Sequence, residues 1–320
     1  MNSTISLSSS ARLVELGISV VTGTKLDRRA SEKVNSDHNS QDNVARVTKN
    51  IFAHSEVLPE IVKLAAEVRT VHAKLSLPWN DSGQRLIPNS MIQDHMKAMG
   101  EYRQQFESMV ADFKEELPTL RDQAQTALGD LYNEYDYPIY EQEIEEYISR
   151  KFKFHLDYPP VPDNGGFING VLDEVKDELN DLHQDGFDRK LKVATQDAWD
   201  RMYKCLERLS RQLTDKEDGT PRRLYQSLLT EAESICKNLK AFNLTNDPDM
   251  EKARVDLWRI IETADIEDLR DKDYGDSTRL DMKDKVDDVK ASVDEITKTF
   301  NSVGFSSPPS WLKPYNVLSN

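Results

Sequence analysis

Apolar residues recur three and four positions apart over most of this chain, and that spacing predicts helices. Ile61, Leu64, Ala65, Val68, Val71 and Leu75 share one face of a helix starting near Glu56, with Pro59 in its first turn. Ile92, His95, Met99, Tyr102, Phe106, Met109 and Phe113 form a heptad seam on the next helix, with Asn89 placed to cap it. Pro118 either starts a new helix or kinks this one, and Leu120, Ala124, Ala127, Leu128 and Leu131 continue the apolar face. An acidic helix follows the break at Asn133–Pro138 and ends near Arg150.

A longer pattern runs from about Phe167 to Leu213 in two phases. Ile168, Leu172, Val175, Leu179 and Leu182 set the first. Phe187, Leu191, Ala194, Ala198, Met202, Cys205 and Leu209 set the second. The step between them, across Gly186, is too long for one stripe. Either the helix breaks at Gln184–Gly186 or the stripe rotates there. Thr220-Pro221 and Asp247-Pro248 each read as a cap followed by a first-turn proline. Leu224, Leu228, Ala232, Ile235 and Leu239 follow the first of these, and Ala253, Leu257, Ile260, Ile261 and Ala264 the second. A last helix carries Met282, Val286, Val289, Val293, Ile296 and Phe300.

Strand structure is expected in three places only. Leu13–Val21 is apolar and β-branched and stops at Thr22-Gly23-Thr24. Phe152, Phe154, Leu156 and Tyr158 alternate with polar residues, which is the strand period. The third place is the stretch from Leu77 to Pro88. Pro78 and Pro88 bracket it, Trp79 lies inside it, and Asn80-Asp81-Ser82-Gly83 supplies turn chemistry, with Gly83 free to take positive φ. Leu77 and Trp79 pair with Leu86 across a short hairpin in this reading, and the stretch is a rigid elbow between two long helices. Trp79 is expected to be buried, and Arg85 to bond carbonyls or a carboxylate at a neighbouring helix end. Pro78, Trp79, Gly83, Arg85 and Pro88 are therefore the candidate structural and interaction residues. An exposed Trp79 and Arg85 would instead have the composition of a binding hot spot.

These elements predict a mainly α fold: an elongated helical bundle with coiled-coil-like hairpins and a small β element. The expected organisation is a disordered N-terminus over 1–12, an N-terminal helical subdomain over 13–158 that holds the elbow, a long-helix subdomain over 159–303, and an extended tail over 304–320. Composition agrees: 38% hydrophobic and 31% charged residues, with 12 Gly in 320 residues, suit helices better than a turn-rich β protein. The net charge of −15 repels phosphate backbones, so no nucleic-acid partner is expected. No run of apolar residues is long enough for a membrane span, and the N-terminus lacks the pattern of a secretory signal. Cys205 and Cys236 fall on apolar helical faces and read as buried free thiols of a reducing cytoplasm.

Candidate chemistry is sparse. The common phosphate-loop, dinucleotide, hydrolase and zincin motifs are missing, and the six His show no helical ligand pair. His95 on the seam reads as a hydrogen-bonded core residue. Asp271–Asp276 has the look of a calcium loop, but its Gly falls one place early and Met282 stands where the bidentate carboxylate belongs. Glu141, Glu143, Glu145 and Glu146 crowd one short helix and read as surface residues. So do the twelve acidic and six basic residues from Asp265 to Glu295, and the cluster Lys25, Arg28, Arg29 and Lys33. No catalytic residue, metal site or cofactor is expected.

Leu77-Pro78-Trp79 followed by Gly83-Gln84-Arg85-Leu86-Ile87-Pro88 resembles a phage and bacterial family called domain of unknown function 3150. Leu16–Lys25 is similar to its opening strand, Leu128-Gly129-Asp130-Leu131-Tyr132 with Asp136-Tyr137-Pro138 to its middle, and Leu239–Pro248 to its late turn. The resemblance covers about residues 13–265, and Phe167-Ile168-Asn169 departs from the second strand of the pattern. It implies a phage origin and no catalytic residues. Through neighbouring genes for MoxR-like AAA ATPases and von Willebrand factor A proteins, it implies an adaptor or substrate of an ATPase machine. The expected function is thus a non-enzymatic interaction protein in the host cytoplasm, with a protein partner or self-association through helical seams. The alternative is a phage virion structural protein. An enzyme assembled from His95, His155 and Glu143 ranks behind both.

Overall fold

The structure is a computed structural model and describes residues 7–41, 44–162, 173–271 and 274–302. The fold is mainly α with a small antiparallel β element. In chain order the elements are α1 (Leu7–Ser10), β1 (Ala11–Ser19), β2 (Thr24–Asp27), α2 (Arg28–Asp37), β3 (Val47–Asn50), α3 (Val57–Lys74), β4 (Leu77–Pro78), β5 (Arg85–Pro88), α4 (Ile92–Leu128), α5 (Glu141–Lys151), β6 (Lys153–Asp157), α6 (Asp173–Leu213), α7 (Gln226–Phe242), α8 (Pro248–Glu262) and α9 (Gly275–Ser302). The chain divides into two compact units that alternate along the sequence. One comprises residues 1–14, 75–92 and 158–320, the other 15–74 and 93–157.

The second unit is built on α3 and α4. Their i, i+3, i+4 apolar positions bury Ile61, Leu64 and Val68 from α3 and Met99, Phe106, Val110, Phe113, Leu117 and Leu120 from α4. Phe52 and Phe152 complete an aromatic centre, each meeting Phe113 with ring centroids 5.3 Å apart. The later part of β1 pairs antiparallel with β6, Glu15 opposite Asp157 and Ser19 opposite Lys153. β2 and β3 form a separate antiparallel pair.

In the first unit, β5 pairs with β4 on one side and with the start of β1 on the other, Leu77 opposite Leu86 and Leu13 opposite Leu86. Leu191, Ala194, Ala198, Trp199, Met202, Leu206 and Leu209 of α6 are buried with Leu228, Leu239, Leu257, Val286 and Val293 of the three later helices. Asp247 caps α8 through Oδ1, which accepts from the Asp249 and Met250 amides at 2.9 and 3.3 Å.

Several expectations need correction. Asn89 does not cap α4. Its side chain donates to the Ser9 carbonyl, and a 3₁₀ turn over Asn89–Met91 precedes the helix. α4 runs unbroken through Pro118, which is exposed, so the lost backbone bond falls on the solvent side. Ala127 is exposed rather than part of the apolar face. α6 passes through Gln184–Gly186 without a break, so the stripe rotates there and leaves Leu182 exposed. α7 starts at Gln226, not at Thr220-Pro221: Tyr225 before it has extended backbone, and Arg270 Nε donates to the Leu224 carbonyl at 3.0 Å. β2 and β3 pair where no strand is expected, and β2 lies at the start of the polar run whose cluster Lys25, Arg28, Arg29 and Lys33 reads as surface residues. The elbow, expected with residues 13–158, belongs to the unit that also contains 158–320. Leu7–Ser10 is helical and Ala11 opens a strand, where a disordered start was expected. The rest of that start, the loop after Pro162, Phe167–Leu172, the middle of the calcium-like loop and the tail lie outside the described residues.

Candidate interaction surface

Four groupings of side chains bear on function, and the elbow comes first. Asn80 organises its turn: Oδ1 accepts from the Gln84 amide at 3.1 Å and from Ser82 Oγ at 2.8 Å, and Nδ2 donates to Gln84 Oε1 at 2.7 Å. Gly83 takes φ +95°, which a side chain would strain. Trp79 is 3% exposed and meets Phe187 edge to face at 5.5 Å, with Lys190 Nζ 6.0 Å above its ring. Arg85 Nε donates to Ser76 Oγ at 2.8 Å and Nη2 to the Ser76 carbonyl at 3.0 Å. Arg201 Nη2 reaches the same carbonyl at 2.8 Å. Arg201 also pairs with Asp197 at 2.7 Å. Burial lowers the affinity of Arg85 for its proton, and the neighbouring Arg201 charge adds to this. Pro78 is half-buried and Pro88 buried. All five residues singled out in this stretch therefore serve its packing or its turn.

The second grouping is the connection from α4 to α5. Asn133 Oδ1 accepts from the Tyr135 amide at 3.1 Å. Asp136 is buried and ion-paired to Lys25 at 2.6 Å and Lys49 at 2.8 Å, and Lys49 also reaches Asp27 at 3.3 Å. Desolvation alone would raise the Asp136 pKa. The hydrogen bonds and charges of the two lysines outweigh it and hold the carboxyl below its ordinary value. Tyr137 stacks on Tyr132 and donates to the Ile51 carbonyl at 2.9 Å, and burial pushes its pKa to about 12. Glu143 Oε2 accepts from the Ile139 and Tyr140 amides at 2.9 and 3.2 Å, which starts α5. Between these anchors three large side chains face solvent: Tyr135 at 84% exposure, Ile139 at 43% and Tyr140 at 69%.

The third is a buried histidine pair. His72 Nδ1 of α3 lies 3.0 Å from His95 Nε2 of α4, so one ring donates and the other accepts. Desolvation lowers the His95 pKa to about 4. The fourth is an acidic cleft of about 480 Å³, lined by His54, Glu56, Asp112, Glu115 and Glu116 with Val57, Thr119, Leu120 and Gln123. Ser55 Oγ donates to Glu116 Oε2 at 2.7 Å at its edge.

The residues weighed for a scattered enzyme site occupy three distinct settings. His95 is in the core, His155 is exposed beside Asp157 on β6, and Glu143 is engaged at the start of α5. Cys205 and Cys236 are buried, and burial raises their thiols to about 12 and 11, which makes both poor nucleophiles. Among the described residues, no group of three or more His, Cys, Asp or Glu is arranged to hold a metal ion, and no helix is long and apolar enough to cross a membrane. Sequence reasoning missed the loop with Tyr135, Ile139 and Tyr140. The clue was an apolar triplet just before an acidic helix, with no helical or strand period to bury it.

No protein-family model matches the chain, and no curated protein or solved structure matches it either.

Proposed function

We propose that this chain is a non-enzymatic, phage-encoded helical interaction protein of the host cytoplasm, an adaptor or substrate of a MoxR-like AAA ATPase and von Willebrand factor A system. The observation that carries an interaction role is the connection from α4 to α5. There Tyr135, Ile139 and Tyr140 are exposed on a backbone fixed by Asp136, Tyr137 and Glu143. Exposed aromatics on a rigid support are what protein-binding surfaces use, because little order is lost on docking. The ATPase partner rests on the resemblance at residues 77–88.

The test is affinity capture from infected cells with the full chain and with Tyr135→Ala/Tyr140→Ala. The expected result is an AAA ATPase or a von Willebrand factor A protein held by the parent and lost by the double variant. Several copies of the chain per purified virion, with no such ATPase captured, would replace this reading with that of a virion structural protein.

A further inference from the structure

We propose that the loop from Asn133 to Tyr140 docks a protein segment that presents apolar side chains within a rim of Lys or Arg. The proposal rests on the interaction role argued above and specifies the partner's chemistry. From Asp130 to Glu146 the sequence holds seven carboxylates and no Lys or Arg. Asp136 is neutralised by Lys25 and Lys49, and Glu145 is paired with Lys114. Asp130, Glu134, Glu141, Glu143 and Glu146 remain, all exposed and on both sides of the Tyr135, Ile139 and Tyr140 positions in the chain. An apolar centre flanked by charge of one sign favours the opposite sign across it and repels its own. The aromatic rings supply contact area at small entropic cost, since the loop is already held by Asn133, Asp136, Tyr137 and Glu143.

The test uses the full chain and a short labelled amphipathic peptide of alternating Leu and Lys, with a Leu–Glu peptide of the same length beside it. Binding is read by fluorescence anisotropy at low and at physiological salt. The Leu–Lys peptide should bind the parent, weaken as salt rises, and weaken about tenfold or more for Tyr135→Ala/Tyr140→Ala. Val62→Ala, an exposed apolar change on α3, should leave binding unchanged. The single variant Tyr135→Ala serves if the double variant melts below the parent. Equal binding of the Leu–Lys peptide by parent and variants would overturn the proposal, since charge alone would then explain it. Equal binding of both peptides by the parent, lost in the double variant, would overturn the basic rim and leave the interaction role standing. Self-association of the parent that the double variant abolishes would make the occupant a second copy, and the proposed partner falls.

Discussion

His95 has ordinary chemistry in an extraordinary setting: a fully buried imidazole whose Nε2 meets another imidazole at 3.0 Å. Its pKa is lowered from 6.5 to about 4 by desolvation. The unfolded chain therefore binds a proton that the folded chain refuses. The stability from neutral His95 is complete above pH 6.5 and is lost as pH falls towards 4, by about 3 kcal/mol in all. An NMR titration of the ring carbon protons should show a midpoint near 4 for this residue, and a midpoint near 6.5 would contradict its burial. Trp79→Ala removes a buried ring that Phe187 contacts edge-on and should cost roughly 3–5 kcal/mol by urea denaturation. A melt equal to that of the parent would mean that the ring is not packed. Both burials were legible beforehand, Trp79 from its bracketing prolines and His95 from its place on the seam. The partner of His95 was not, because His72 lies on another helix and periodicity carries no information across helices.

Elements whose signals are local were the readable ones. α3, α8, α9 and β6 announce themselves by period, α8 also by its cap, and Asp247→Ala should cost about 1 kcal/mol, read as a fall in the urea midpoint, through the loss of that cap. Elements set by distant partners were not readable. β2 and β3 carry Lys25 and Lys49 and show no strand period, and their charges are matched by Asp136, far along the chain, with Asp27 beside Lys49. The start of α7 also departs from its local signal, and Arg270 engages the Leu224 carbonyl from outside the segment. Lys49→Ala leaves the buried Asp136 short of one partner. It should destabilise by roughly 3–5 kcal/mol, read as a fall in the urea midpoint. A change under about 1 kcal/mol would mean that the pair is solvated.

At the scale of the whole molecule, the chain does not partition into an N-terminal and a C-terminal half. Residues 75–92 leave one unit for the other and return, so the unit that holds α6 to α9 is incomplete without the elbow. Trp79 covers Phe187, and the Ser76 carbonyl receives Arg201. A fragment of residues 158–320 should accordingly lose its cooperative thermal transition by circular dichroism, and a sharp melt like that of the full chain would contradict this. The loop with Tyr135, Ile139 and Tyr140 gave no sign of itself in the periodicity, because what marks it is exposure, a property of the folded surface. Its proposed role as a binding surface is tested most directly by placing a photo-crosslinking side chain at position 140 of the full protein, with a control at position 62, in cells that produce it. The expected result is a discrete crosslinked species from position 140 that position 62 does not give. No adduct at 140, or the same adducts from both positions, would contradict a binding role for this loop.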